Sequence, residues 1–319
     1  MQLLKVYDFI AQELEGVREI FERELICDVP AIGDMIDQVG KFRGKMLRPA
    51  LVLLAGKACG KVKPAHRIIA AVTEMVHMAT LIHDDVLDEA EHRRRGRTIN
   101  ALHGNEAAVI LGDMFISHAF HLCSSLDSQL ASRLIAATTN TVCEGELMQL
   151  YYRGFYELTE EKYLDIISRK TASLIASCCY LGAKAAEATE ADCQALETYG
   201  WNAGMAFQMM DDITDLIGEE EAAGKTLGTD LLKEKMTLPV IHLLGVCEKR
   251  ERAKWQQRLR VQNSDDLQRI IHRLQERGSI TYARRRAGEF IQTAQQAVPK
   301  TLKHDTREML LDLASSILD

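Results

Sequence analysis

Two short runs of aspartate are the residues of this chain best equipped for chemistry. Residues 83–88 read His-Asp-Asp-Val-Leu-Asp and residues 210–215 read Met-Asp-Asp-Ile-Thr-Asp, so Asp-Asp-x-x-Asp occurs twice, 127 residues apart. On a helix, Asp84 and Asp88 share a face, with Asp85 about 100° round from them; Asp211, Asp212 and Asp215 repeat that geometry. Three carboxylates at a helix C-terminus repel one another and oppose the negative end of the helix dipole. Such a placement lowers stability unless cations neutralise it. Hard oxygen ligands that leave room for water and phosphate suit Mg²⁺ better than zinc or copper. A solvated helix end would account for one such run. Two copies on apolar helices, each followed by basic residues, point instead to a metal site.

The cations matter as much as the acids. Arg93-Arg94-Arg95-Gly96-Arg97 follows the first run, and Lys225 and Lys235 follow the second. Upstream, Gly44-Lys45-Met46-Leu47-Arg48-Pro49 places Lys45 and Arg48 just before a helix that Pro49 can start. Lys170 precedes Thr171 inside another apolar helix. Carboxylates for metal, with guanidinium and ammonium groups for the remaining phosphate oxygens, are what a diphosphate site requires.

Helices must position these residues. Residues 66–83 put Ile69, Val72, Val76 and Ala79 three or four apart, an apolar stripe on one face. Residues 105–123, 128–150, 160–182 and 190–217 read the same way, and four shorter helices follow residue 231, interrupted near Glu248, Gln262, Gly278 and Pro299. No stretch alternates long enough for a convincing strand. Glycine and proline together are 25 of 319 residues, about 8% against the roughly 12% usual in soluble proteins, and aromatics are 6%. The expected fold class is all-α, a single large helical bundle occupying residues 1–319 as one domain. A net charge of −7 argues against nucleic acid, whose phosphates need a basic face. Eight cysteines without a Cys-x-x-Cys pair suit reduced thiols in a cytoplasmic protein. The acidic N-terminal stretch is unlike a signal peptide, and no apolar run reaches the roughly 18 residues of a membrane span.

Taken together, the motifs resemble the trans-type polyprenyl diphosphate synthases, the head-to-tail isoprenoid chain-elongation enzymes. The resemblance is carried, in family order, by GKMLRP, HMATLIHDDVLDEAEHRR, Thr98 and Asn100, GNEAAVILGD, EGELMQL, KTASL, FQMMDDITD, GKTLGTD and KMTLP. It implies the isoprenoid-synthase bundle with a central cavity, a homodimer, and Mg²⁺, three ions per active site. Asp84, Asp85, Asp88, Asp211, Asp212 and Asp215 would bind that metal. Arg93, Lys170, Thr171, Gln208, Lys225 and Lys235 would contact the allylic diphosphate, with Lys170 and Lys225 also in catalytic roles. Lys45, Arg48, His77 and Arg94 would hold isopentenyl diphosphate. His83 and Met210 read as packing residues or as residues that support the ligands from behind.

Product length depends on the wall below Asp84. Ala79 and Thr80 lie about one turn deeper, roughly 6–7 Å along the axis. In the family an aromatic residue there stops the chain early, so two small residues imply a long product, C40 within C30–C50. Cys123 and Ile135 are later floor candidates, equally readable as plain core. Three features depart from the family: Arg95 before Gly96, His118 where arginine is common, and an end, SSILD, without a basic tail. The alternatives are a shorter-chain geranylgeranyl diphosphate synthase, a class I terpene cyclase and a non-catalytic subunit of a heteromeric synthase. A cyclase or squalene-type enzyme fits poorly with a full DDITD and with GKMLRP. A non-catalytic subunit fits poorly with two intact aspartate runs.

Overall fold

The computed structural model describes residues 2–41, 44, 46–93, 96–218, 228–260 and 264–318. In chain order the helices are α1 (Gln2–Phe9), α2 (Ala11–Glu24), α3 (Pro30–Lys41), α4 (Leu47–Cys59), α5 (Pro64–Leu87), α6 (Ile99–His103), α7 (Asn105–Ser124), α8 (Gln129–Tyr151) and α9 (Glu160–Ile167). A π-helical turn (Ser168–Ala172) then leads into α10 (Ser173–Ala185) and α11 (Glu190–Ile217). After these come α12 (Thr229–Leu232), α13 (Leu238–Val246), α14 (Lys249–Arg258), α15 (Ser264–Glu276), α16 (Ser279–Ala297) and α17 (His304–Ser315).

Two compact units are assembled from discontinuous stretches: residues 1–139, 174–200 and 295–316 form one, and residues 140–173, 201–294 and 317–319 the other. In the first, α5 starts where proline is best tolerated, with Pro64 in its first turn. The Lys63 N–H donates to His66 Nδ1 at 2.9 Å, which leaves the His66 Nε2–H to donate to the Gly182 carbonyl at 3.0 Å. Burial lowers the pKa of His66 and keeps it neutral for that pair of bonds. The apolar stripe Ile69, Val72, Val76 and Ala79 is buried as expected. Helix α4 is apolar nearly all round and buries Leu51, Val52, Leu53 and Leu54, the mark of a central helix.

The second unit holds α9 by its N-terminus. Glu160, in the first turn, accepts from Tyr282 Oη and from Arg286 Nε, both on α16. Tyr282 in turn stacks on His242 of α13, ring centroids 4.2 Å apart. Thr159 caps α9 by accepting from the Lys162 N–H at 3.2 Å.

Most helices fall where periodicity places them, with four corrections. Residues 160–182 are not one uniform helix, because the π turn widens the coil at Ser168–Ala172. Helix α4 begins at Leu47, so Arg48 lies in its first turn and Pro49 is its third residue; proline fits there because the first N–H groups of a helix have no intrahelical partner. A two-residue antiparallel ladder pairs β1 (His92–Arg93) with β2 (Gly96–Arg97), too short for any alternation to reveal. Five helices, α13–α17, rather than four, occupy the described residues after 237.

Candidate active site

In the first unit, α5 ends on the first aspartate run. Asp84 and Asp88 are half-buried and Asp85 is 5% exposed. Asp88 is the C-cap residue, its N–H donating to the Asp84 carbonyl at 2.8 Å. Arg93 turns back onto Asp85, Nε and Nη2 each 2.8 Å from Oδ1. A guanidinium has five N–H donors, so this embrace leaves others to meet phosphate oxygens. Burial raises the Asp85 pKa to about 6, against the pull of Arg93 and with a smaller push from Asp84 and Asp88.

Thr98 and Asn100 close the loop that delivers Arg93. Thr98 Oγ1 donates to the Ala90 carbonyl at 2.6 Å and accepts from the Ala101 N–H at the start of α6. Asn100 Nδ2 donates to the carbonyls of Ala90 at 3.0 Å and Asp85 at 3.3 Å. His83 Nε2 donates to the Val109 carbonyl at 3.1 Å and lies 3.5 Å from Asp113 Oδ1; a methyl at Gly112 would lie 2.2 Å from that nitrogen. His77 is half-buried on α5, and its carbonyl accepts from Thr80 Oγ1 at 2.7 Å. The Nε of Arg48 is buried without a hydrogen bond; desolvation lowers its pKa while buried Glu74 opposes the shift. Ala79, Cys123 and Ile135 are fully buried in this unit. His118 approaches Glu24 of α2 at 3.4 Å, so that departure contributes to packing between α7 and α2. Lys45, Arg94 and Arg95 lie outside the described residues.

In the second unit, α11 ends on the other run with three different environments. Asp211 is exposed, Asp212 is 5% exposed and Asp215 is fully buried. Tyr163 of α9 donates its hydroxyl to Asp212 Oδ2 at 2.7 Å, and Gln208 Nε2 donates to Oδ1 at 2.8 Å. Thr171 Oγ1 donates to Gln208 Oε1 at 2.6 Å. Burial raises the pKa of Asp212, a neighbouring Asp230 adds to it, and the two donors oppose it. Asp215 anchors the next turn: Oδ1 accepts from Thr229 Oγ1 at 2.9 Å and Oδ2 from the Asp230 N–H at 3.1 Å. Lys235 pairs with Asp230 at 3.3 Å. Lys225 and its neighbours 219–227 lie outside the described residues.

Lys170 projects from the π turn, where Nζ bonds Gln149 Oε1 at 2.8 Å and pairs with Glu146. Both partners belong to the EGELMQL stretch of α8. Its Gly145 has a plain reason to lack a side chain: a methyl there would lie 2.5 Å from the Lys170 backbone nitrogen. Single π turns inside α-helices occur often at functional sites. Sequence reasoning missed the turn, Tyr163 and the structural use of Asp215. The only available signal for Tyr163 was an aromatic on an amphipathic helix, which reads as core.

Among the described residues no group of three or more Asp, Glu, His or Cys side chains is gathered to hold a metal. The two aspartate runs offer hard carboxylate oxygens of the kind that suits Mg²⁺, which is commonly held by one or two carboxylates plus water and substrate phosphate oxygens.

Comparison with known proteins shows the family. The chain is 33% identical over 319 residues to octaprenyl diphosphate synthase of Escherichia coli (strain K12), covering 98% of each chain. It is 37% identical over 245 residues to heptaprenyl diphosphate synthase component 2 of Geobacillus stearothermophilus, 77% of each. A crystal structure of polyprenyl synthase from Caulobacter crescentus CB15, complexed with calcium and isoprenyl diphosphate, superposes with a TM-score of 0.95 at 29% identity, covering 99% of this chain and 97% of that one. The family described as polyprenyl synthetase matches residues 29–276, and the chain belongs to it.

Proposed function

We propose that this prenyltransferase joins isopentenyl diphosphate head-to-tail to an allylic diphosphate, in a Mg²⁺-dependent reaction, and repeats the step to a long all-trans product of about C40. The observation that carries the reading is the pair of DDxxD runs, each ending a long helix and each with its middle aspartate buried and held by donors. Full-length similarity to a synthase named for an eight-unit product supports the length, as do the small residues Ala79 and Thr80.

In this reading Asp84, Asp85, Asp88, Asp211, Asp212 and Asp215 hold the cations. Bound Mg²⁺ supplies Lewis-acid stabilisation of negative charge on the leaving diphosphate. Arg93, Lys170, Thr171, Gln208, Lys225 and Lys235 bind the allylic diphosphate and offset the charge that grows on it as its C–O bond breaks. Lys45, Arg48, His77 and Arg94 hold isopentenyl diphosphate, whose double bond attacks the allylic cation. The departing diphosphate takes the proton then lost, so no side-chain base is required. Apolar walls keep water from the cation. The protein acts as a homodimer in the cytoplasm.

Purified protein given Mg²⁺, farnesyl diphosphate and labelled isopentenyl diphosphate should yield long prenyl diphosphates, read by chromatography after dephosphorylation. A cyclised hydrocarbon would reject the reading. Ala79→Phe should shorten the product while sparing the first condensation; unchanged length would remove Ala79 as a gate. The identity to a protein named component 2 favours one second reading, a catalytic chain that needs a different subunit. No incorporation by the purified chain alone would select it.

A further inference from the structure

Tyr163 is 3% exposed, and its hydroxyl spends its proton on Asp212 Oδ2 at 2.7 Å. On the other carboxylate oxygen, Gln208 Nε2 donates at 2.8 Å. Thr171 fixes which way the Gln208 amide points, because its hydroxyl donates to Oε1 at 2.6 Å and leaves the amide N–H to face Asp212. The bonds therefore run one way: Thr171 to Gln208 to Asp212, met from the opposite side by Tyr163. An aspartate side chain has two torsions, and donors on both oxygens lock both. Each oxygen keeps a further lone pair for a ligand.

The supports of this chain are themselves tied down. Helix α9, which carries Tyr163, is capped by Thr159 and anchored through Glu160 to Tyr282 and Arg286, one turn from the hydroxyl. Thr171 shares the π turn with Lys170, so the same chain of bonds ends on the element that presents a cation. We propose that Tyr163 is a positioning residue of this enzyme: through its bond to Asp212 it sets the orientation in which the second aspartate run meets a divalent cation and diphosphate. The proposal rests on the function given above and adds a residue and a role to it.

A buried tyrosine also needs an acceptor merely to be buried, so the test must separate orientation from packing. Wild type, Tyr163→Phe and, as a packing control, Tyr199→Phe are compared as full chains. Tyr199 is fully buried and donates to the Leu310 carbonyl at 2.7 Å in the other unit. The measurement is the Mg²⁺ concentration that gives half of the rise in thermal midpoint at fixed inorganic pyrophosphate, beside the midpoint without ligand. Removing the outer partner of a metal ligand commonly costs 10–100-fold in metal affinity, so Tyr163→Phe should need about tenfold more Mg²⁺. Tyr199→Phe should lower the unliganded midpoint and leave the Mg²⁺ requirement as it is.

In turnover, Tyr163→Phe should lower kcat and raise the KM for the allylic substrate, with the KM for isopentenyl diphosphate within about twofold. An unchanged Mg²⁺ requirement in a folded Tyr163→Phe protein overturns the proposal and leaves the function standing. No response of wild type to Mg²⁺ and pyrophosphate overturns both. Should Tyr163→Phe not fold, 3-fluorotyrosine placed at 163 keeps the hydroxyl. Its ¹⁹F resonance should then move along the same Mg²⁺–pyrophosphate titration, and a stationary resonance overturns the proposal.

Discussion

Asp85 is caught between two demands at the scale of a single residue. The metal role proposed for it needs an ionised carboxylate, whereas burial favours the neutral acid, and with Arg93 opposing the shift its pKa is still raised from 3.8 to about 6. Because the folded state holds the proton more tightly, it binds more protons than the unfolded chain between those values, and stability falls as pH rises through that window. The gap corresponds to roughly 3 kcal/mol at most. Asp85→Asn removes this titration. In EDTA its thermal midpoint should gain on wild type between pH 4 and 7, by about 1–3 kcal/mol in stability terms, while condensation activity falls by orders of magnitude. Equal midpoints across that range would show that Asp85 does not titrate there. Sequence revealed the aspartate but not its environment: Arg93 is eight residues away, and only the loop closed by Thr98 and Asn100 folds it back. For Asp215 the shared motif conceals a difference, since its side chain holds the Thr229–Asp230 turn while Asp211 stays exposed.

Among the elements, the close approach of α8 and the π turn decides where Lys170 stands. Alanine in a helix interior normally stabilises by about 0.5–1 kcal/mol relative to glycine. At Gly145 a methyl would instead meet backbone, 2.5 Å from the Lys170 nitrogen and 2.9 Å from its Cα, and backbone cannot swing aside. Gly145→Ala should therefore lose about 1–3 kcal/mol and reduce kcat/KM for the allylic substrate by at least about tenfold. Gly288→Ala on α16 is the contrast: nothing lies within 4 Å of the added methyl, so stability should rise by about 0.5–1 kcal/mol with turnover unchanged. Thermal melts and steady-state kinetics on the pair read this directly. Periodicity placed the helix across 160–182 yet hid its π turn, because one extra residue in the coil barely disturbs an apolar stripe. The start of α4 was missed for a related reason: proline is tolerated at several first-turn positions, so Pro49 bounds the start without fixing it.

At the scale of the whole molecule, charge decides how an anionic substrate can be held. A chain of net charge −7 that clusters aspartate twice should repel free pyrophosphate. Divalent cations reverse the local sign, so metal and diphosphate should bind together and either alone poorly. Ligand that binds only the folded state stabilises it by RT ln(1 + [L]/Kd), about 2.7 kcal/mol at a hundredfold excess over Kd. For a chain of 319 residues that is a rise of a few degrees in thermal midpoint. The expected pattern is such a rise with MgCl₂ plus pyrophosphate, and little change with pyrophosphate in EDTA or with MgCl₂ alone. Raising NaCl should weaken the effect only modestly, because coordination to carboxylate oxygens at contact distance is screened far less than a diffuse surface potential. A full rise with pyrophosphate in EDTA would mean that the arginines and lysines hold diphosphate unaided. The aspartate runs would then need a role other than metal binding.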